Sequence, residues 1–227
     1  FVTLWQDGKL SGAMPLYLKS HSYGEYVFDW AWADAYQRHG LAYYPKLLAA
    51  VPFSPIQGPR LLAAAVEPRR RLLGAALALA GQASSLHILF PPAPEAAQMA
   101  RAGMLIRRGL QFHWRNPGYA SFESFLAALS HDKRKKIRQE RRKVGEAGIR
   151  FRRLRGEQIG PEDWLFFSRC YKATYRAHHS TPYLNRALFE RLGRSMPEYI
   201  MLVVAERDGK PLAGALNIHT DSVLYGR

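Results

Sequence analysis

Acidic residues and cysteine are both scarce in this chain. Against 33 Lys and Arg stand only 18 Asp and Glu, a formal net charge of +15 and a pI near 10.2. Such an excess favours polyanionic partners: nucleic acid, nucleotides, phosphorylated substrates or an anionic membrane. Cys170 is the only cysteine, so an internal disulfide is excluded and a reducing, cytoplasmic compartment is expected. It falls on the apolar side of a predicted helix, the place of a small buried hydrophobe rather than a nucleophile. Long apolar runs are also missing. The longest, LLGAALALAG at 72–81, follows Arg69, Arg70 and Arg71 and imitates a signal peptide. It lies mid-chain and is too short to span a bilayer, so a buried helix is expected. Low-complexity tracts, Ser/His/Asp and Cys/His arrangements and a metal-ligand set are absent too; His178 and His179 are adjacent rather than at ligand spacing.

What is present is globular: 48% hydrophobic and 12% aromatic residues over a length that suits one large or two small domains. The chain opens with alternation around Asp7-Gly8 in VTLWQDGKLSGAM, a hairpin signal because both turn positions need φ > 0. A second signal surrounds Asp208-Gly209 in MLVVAERDGKPLAGAL. The two share D-G-K, L-x-G-A and a closing hydrophobe, and differ by one inserted residue. Similar hairpins so far apart suggest a duplicated domain, with chance similarity as the alternative. The simplest arrangement is the back part of one domain at 1–116 and the front part of its repeat at 117–227, each incomplete in this chain.

Between the hairpins the pattern is mixed α/β. Helices are expected toward Gly40, over 67–80 and over 95–102, with strands at YYPKLLAAVPF, SSLHILF and GLQFHWRN. Ser121 is placed to cap a short helix bearing Phe122, Phe125, Leu126 and Leu129. Gly160-Pro161 opens a helix with Trp164, Phe167, Tyr171 and Tyr175 on one face, and Asn185 caps another.

The most unusual stretch is HDKRKKIRQERRKVGEAGIRFRRLR at 131–155, where 12 basic residues meet three acidic ones. A helix from Asp132 to Gly145 carries only Ile137 and Val144 as large apolar residues. Lys133, Arg134, Arg138 and Arg142 then align along its sides at helical spacings. An ordinary solvated helix mixes its signs, so a polyanion-binding helix is the sharper reading. No aromatic residue interleaves within it, which points to phosphate binding without base reading.

The order of these pieces resembles the FemAB-like branch of the GNAT acyltransferase superfamily. The resemblance rests on the basic helix from Lys133 through Ile137 and Arg138 to Gly145, the strand after Gly148 and the DGKPLAGAL hairpin. HSYGEYVFDWAWADAY and VPFSPIQGPRLL in the first half are similar to the uncharacterised FemAB-like subgroup of bacterial proteins. It implies tandem GNAT-like domains that transfer an aminoacyl or acyl group to an amine. Aminoacyl-tRNA or acyl-CoA would serve as co-substrate, with no tightly bound cofactor, and a peptidoglycan precursor is the implied acceptor. The chain departs from the peptidoglycan branch at Gln57-Gly58-Pro59-Arg60, which no acid follows before Glu67, and it lacks the coiled-coil arm. A conventional acyl-CoA loop is matched only weakly, by Arg71, Gly74 and Ala76.

Acyl transfer needs a neutral amine, a polarised carbonyl and oxyanion donors, but no protein nucleophile. For the phosphates of the donor, Lys133, Arg134, Arg138 and Arg142 are the expected ligands. Gly58 and Arg60 are a second candidate, a close-approach glycine beside a forked guanidinium, against a plain surface turn. For the acceptor the expectation is an acidic, aromatic cleft. Asp29 and Asp34 would take the proton and Trp30, Trp32 and Tyr36 line the cleft, against a core stripe begun by a helix-starting Asp. His113 and Tyr183 are further substrate-binding candidates. A rival class is a non-catalytic module that holds tRNA or an anionic membrane through the basic helix.

Overall fold

The computed structural model describes residues 1–226. It shows the mixed α/β architecture expected, with seven α-helices and three small sheets among the described residues. The chain divides into two compact units, Phe1–His113 and Trp114–Arg227.

In the first unit the opening alternation forms the hairpin β1 (Val2–Gln6) and β2 (Lys9–Met14), with Asp7 at φ 50° and Gly8 at φ 72°. A three-stranded sheet follows in the order β3 (Tyr17–Lys19), β4 (Lys46–Ala49), β5 (Leu86–Ile88). β3 is antiparallel to β4 and β4 is parallel to β5. The helices are α1 (Trp30–Arg38), α2 (Val66–Ala80) and α3 (Ala93–Arg101), α2 being the crossover that a parallel β4–β5 pair requires. Leu72, Leu73 and Ala76 of α2 are buried with Met14, Ala49, Leu61 and Met99. The alanine-rich run is therefore buried on one face only, and Leu79 stays 39% exposed.

The second unit begins with α4 (Phe122–Ala127), α5 (His131–Glu146), α6 (Pro161–Ala177) and α7 (Arg186–Ser195). Its sheet runs in the antiparallel order β6 (Arg150–Arg155), β7 (Ile200–Arg207), β8 (Lys210–His219), β9 (Leu224–Gly226). Ser121 caps α4 by accepting from the Ser124 amide at 3.1 Å, and Asn185 caps α7 through the Leu188 amide at 3.0 Å. Each such cap contributes about 1 kcal/mol. Trp164, Phe167 and Tyr171 of α6 pack with Phe189 of α7 against Ile200, Leu202, Val204 and Leu216. The predicted apolar face of α6 is thus the core of this unit.

Two expectations change. Ser130, not Asp132, occupies the N-cap position of α5; Asp132 sits in the first turn, where its charge complements the helix dipole. The strand expected over 109–116 does not form, and those residues carry no ladder in this structure. Its alternation is real, but a strand needs a partner for its backbone groups and none of the described strands lies beside it.

The two DG hairpins share more than their turns. In the first, Gln6 pairs Lys9, Trp5 pairs Leu10, and Leu4 pairs Gly12, so Ser11 bulges out. In the second, Arg207 pairs Lys210, Glu206 pairs Pro211, and Ala205 pairs Ala213, so Leu212 bulges in the same place. The buried faces nevertheless differ by one residue: Gly12 and Met14 face inward in one, Leu216 with the half-buried Gly214 in the other. The residue inserted in the second sequence realigns these inward positions, since a one-residue offset turns a strand over. Both glycines lie under a helix, Gly12 with room for a Cβ only 3.0 Å from Leu72 and Gly214 3.5 Å from Phe167.

Candidate functional site

Ionisable side chains concentrate at a buried polar cluster in the first unit and along α5 in the second. The cluster is built on Lys46, the first residue of β4, whose side chain is fully buried. Its ammonium spends its three N–H groups on Asp29 Oδ2 at 2.6 Å, Ser22 Oγ at 2.7 Å and Glu25 Oε2 at 2.8 Å. The rings of Tyr43 and Tyr44 lie 5.3 and 5.7 Å from the same nitrogen. Tyr43 donates its hydroxyl to Asp29 at 2.7 Å, and the Tyr44 hydroxyl meets Ser22 at 2.8 Å. Lys19 approaches the other Glu25 oxygen at 3.6 Å, so two ammonium groups face two carboxylates.

Burial pushes the Asp29 carboxyl up, but hydrogen bonds from Lys46, Tyr43 and Ser22 outweigh it and hold the group at about 2. Burial and the Asp29 anion push the Tyr43 phenol in the opposite direction, well above its ordinary value. His87 of β5 is held below its usual range by burial and by the Lys46 charge, and bonds Ser85 Oγ at 2.9 Å. The loop over the cluster is strained: Gly24, Tyr26 and Phe28 adopt φ of 80°, 59° and 50°. A Cβ on Gly24 would stand 2.3 Å from the Phe53 ring, so only glycine fits there.

The residues expected at an acceptor cleft are placed as follows. Asp29 faces inward to Lys46, while Asp34 lies on the outside of α1 and pairs with Arg38 at 2.9 Å. Trp30 and Trp32 are 44% and 56% exposed, and Tyr36 packs edge-on against Tyr43. At 3.6 residues per turn, five residues set Asp29 and Asp34 about 140° apart around the helix, so they leave it on different sides.

In the Gly58-Pro59-Arg60 loop the arginine side chain turns inward. Arg60 is 4% exposed, and its guanidinium donates to the carbonyls of Ile56 at 2.7 Å, Gly58 at 2.7 Å and Leu89 at 2.9 Å. The Arg60 amide donates to Glu95 at 2.9 Å. A guanidinium consumed by its own loop staples that loop and has no fork left for a phosphate. The Gly58 amide is likewise taken, by the Phe90 carbonyl at 3.1 Å.

α5 remains open to solvent, with no buried residue along its length. Arg138 reaches Glu123 of α4 at 2.6 Å, Arg134 donates to the Ala127 carbonyl at 3.2 Å, and Arg142 approaches Glu146 at 3.6 Å. Lys133 has no carboxylate within 4.0 Å among the described residues. An aromatic partner exists after all, supplied from the preceding helix rather than from α5 itself: Arg141 stacks 4.5 Å above the Phe122 ring. Phe122 adjoins Phe125, whose ring also meets Tyr119 and Trp114. His113 is exposed and bonds Gln111 at 3.2 Å, and Tyr183 packs edge-on against Tyr175 in the second unit.

The sequence reading missed Lys46, Glu25 and His87. A signal existed for Lys46, a charge embedded in YYPKLLAAV, since a lysine inside a buried strand must carry its counter-charges with it. Nothing in the linear pattern indicates that Glu25 and Asp29 supply them. Cys170 is partly buried and its thiol pushed up by that burial, which agrees with a structural role. Among the described residues no group of His, Cys, Asp and Glu is placed to hold a metal ion, and no helix is long and apolar enough to cross a membrane.

Comparison with curated proteins finds no match. A family model described as peptidoglycan biosynthesis/recognition does match, and it covers residues 1–227. With the whole chain inside that match, the protein belongs to the FemAB-like family.

Proposed function

We propose that this chain carries the donor-binding surface of an N-acyltransferase or aminoacyltransferase acting in peptidoglycan biosynthesis, with α5 holding the phosphates of the donor. The observation that supports this reading is the exposed Lys133, Arg138 and Arg142, with the half-buried Arg134 beside them, in a chain of this family. Aminoacyl-tRNA and acyl-CoA both present phosphates to such a row. In the reaction the acceptor amine attacks the donor carbonyl and forms a C–N bond. The tetrahedral oxyanion then collapses, breaking the ester or thioester bond, and the leaving oxygen or sulfur departs with the proton the amine gives up. Of the two expected acids, Asp34 is open to solvent on α1, while Asp29 is bonded to Lys46 and Tyr43.

A second reading, a non-catalytic module that holds a polyanion through α5, is favoured by one observation. The acidic, aromatic side chains do not converge on a cleft, because Asp29 is buried against Lys46 while Asp34 stands exposed beside Arg38. Turnover separates the two readings. A charged tRNA pool and an acyl-CoA mixture are supplied separately, and loss of the acyl group is followed with and without a cell-wall precursor. A Lys133→Ala/Arg134→Ala/Arg138→Ala variant runs alongside. Acceptor-dependent loss that vanishes in the variant supports the transferase; salt-sensitive binding without turnover from either donor supports the module.

A further inference from the structure

We propose that a cleft in the second unit binds a small zwitterion, one ammonium and one carboxylate, as carried by a free amino acid or a short peptide. The cleft holds about 520 Å³, a volume that suits such a ligand, and every residue lining it belongs to the second unit. Ile159 and Trp164 form its apolar part. Glu157, on the short 3₁₀ turn Gly156–Gln158, lines it from the chain entering α6, while Glu190, Gly193 and Arg194 line it from α7.

Three groups in the cleft have unused bonding capacity. Trp164 is 5% exposed and its indole N–H has no hydrogen-bond partner among the described residues, although a buried tryptophan ordinarily finds one. Gly193 keeps that edge bare: a Cβ there would stand 2.7 Å from Trp164 Cζ2 and 3.5 Å from Nε1. A glycine inside a helix is unfavourable against alanine, so Gly193 weakens α7 while leaving room beside the indole. Glu157 and Arg194 are both exposed, and among the described residues neither makes an ion pair or a side-chain hydrogen bond. Glu190, by contrast, is held by Arg186 at 2.9 Å.

These groups select the ligand. An indole N–H and a guanidinium can only donate, so they call for an anionic acceptor, and a carboxylate takes both. Glu157 can only accept, so it calls for an ammonium group. The apolar surface of Ile159 and Trp164 suits an aliphatic side chain of the same ligand. Two carboxylates against one unpaired guanidinium repel the phosphates that α5 would attract, which argues against a nucleotide here. The cleft is separate from α5 and stands whether or not α5 holds a donor.

The test is calorimetric titration of the full chain with two probes, leucine and the dipeptide alanyl-leucine, each also supplied N-acetylated and C-amidated. Wild-type protein is expected to bind at least one free zwitterion, and either block is expected to weaken binding about tenfold. Tighter binding of leucine assigns the cleft to an amino acid, and tighter binding of alanyl-leucine to a peptide. Glu157→Gln should bind the acetylated probe as well as the free one, and Arg194→Gln the amide as well as the acid. Both should melt like wild type, since neither side chain has a partner to lose. No saturable binding of either probe would overturn the proposal. So would binding that ignores the blocks, or variants that keep the full wild-type discrimination, since the zwitterion would then sit elsewhere.

Discussion

Lys46 donates to Asp29 at 2.6 Å in the interior of the first unit, where their side chains are 0% and 2% exposed. The pair ties the start of β4 to the residue that begins α1, and Glu25 joins it from the strained loop between β3 and α1. Removing one partner strands a buried charge, which costs far more than the pair itself contributes. Lys46→Met is therefore expected to destabilise the chain by about 3–5 kcal/mol, read from urea unfolding. The double variant Lys46→Met/Asp29→Asn is expected to recover part of that loss, because one stranded carboxylate is gone.

The same pair sets an acid limit. Asp29 titrates at about 2 when folded against 3.8 for the free group, so the unfolded chain takes up the proton first as pH falls. Its contribution is full above the unfolded value and is lost as pH falls through the folded one, a total of about 2 kcal/mol. Denaturant midpoints measured through this acid window should fall with pH, and the part due to Asp29 should be missing in Asp29→Asn. An undiminished slope in that variant would assign the acid sensitivity to other carboxylates.

Arg60 gives a prediction that separates structure from binding. The guanidinium joins four carbonyls from one planar fork, and the three donors of a single lysine nitrogen cannot reach them all, so Arg60→Lys should lower stability by about 2 kcal/mol in thermal or urea unfolding. Affinity for a phosphate-bearing donor, measured on the folded variant, should not change. A selective loss of affinity would return Arg60 to the binding surface.

On α5 the expectation is reversed. Lys133→Gln and Arg142→Gln touch no buried group, so melting should be unaffected. Polyanion affinity should fall, and its dependence on salt should flatten by about 0.7–0.9 in log–log slope for each phosphate contact removed. Titrations at several salt concentrations measure both.

Gly24→Ala tests the loop over the cluster. The substitution meets both a φ of 80° and a ring atom 2.3 Å from the new Cβ, and should cost about 2 kcal/mol or more. Amide exchange is expected to rise from Ser22 to Asp29 before it rises in β4.

Local features were legible in the sequence because local physics produces them. Asp7-Gly8 and Asp208-Gly209 turn with positive φ since few other residue pairs accept it, and Ser121 and Asn185 cap because their oxygens reach the amide three residues on. The apolar face of α6 and the exposed cations of α5 likewise follow from helical period alone. What the tertiary structure decided is where polar side chains end. Whether Asp29 meets Asp34 or Lys46 depends on a loop that brings residues 22, 25 and 29 against β4, and no periodicity encodes that return. Arg60 is read as a free fork until its own loop folds around it, and residues 109–116 alternate like a strand with no neighbour to complete one. Periodicity and turn chemistry act over a few residues; the counter-charge of a buried group and the partner of a strand come from residues far along the chain.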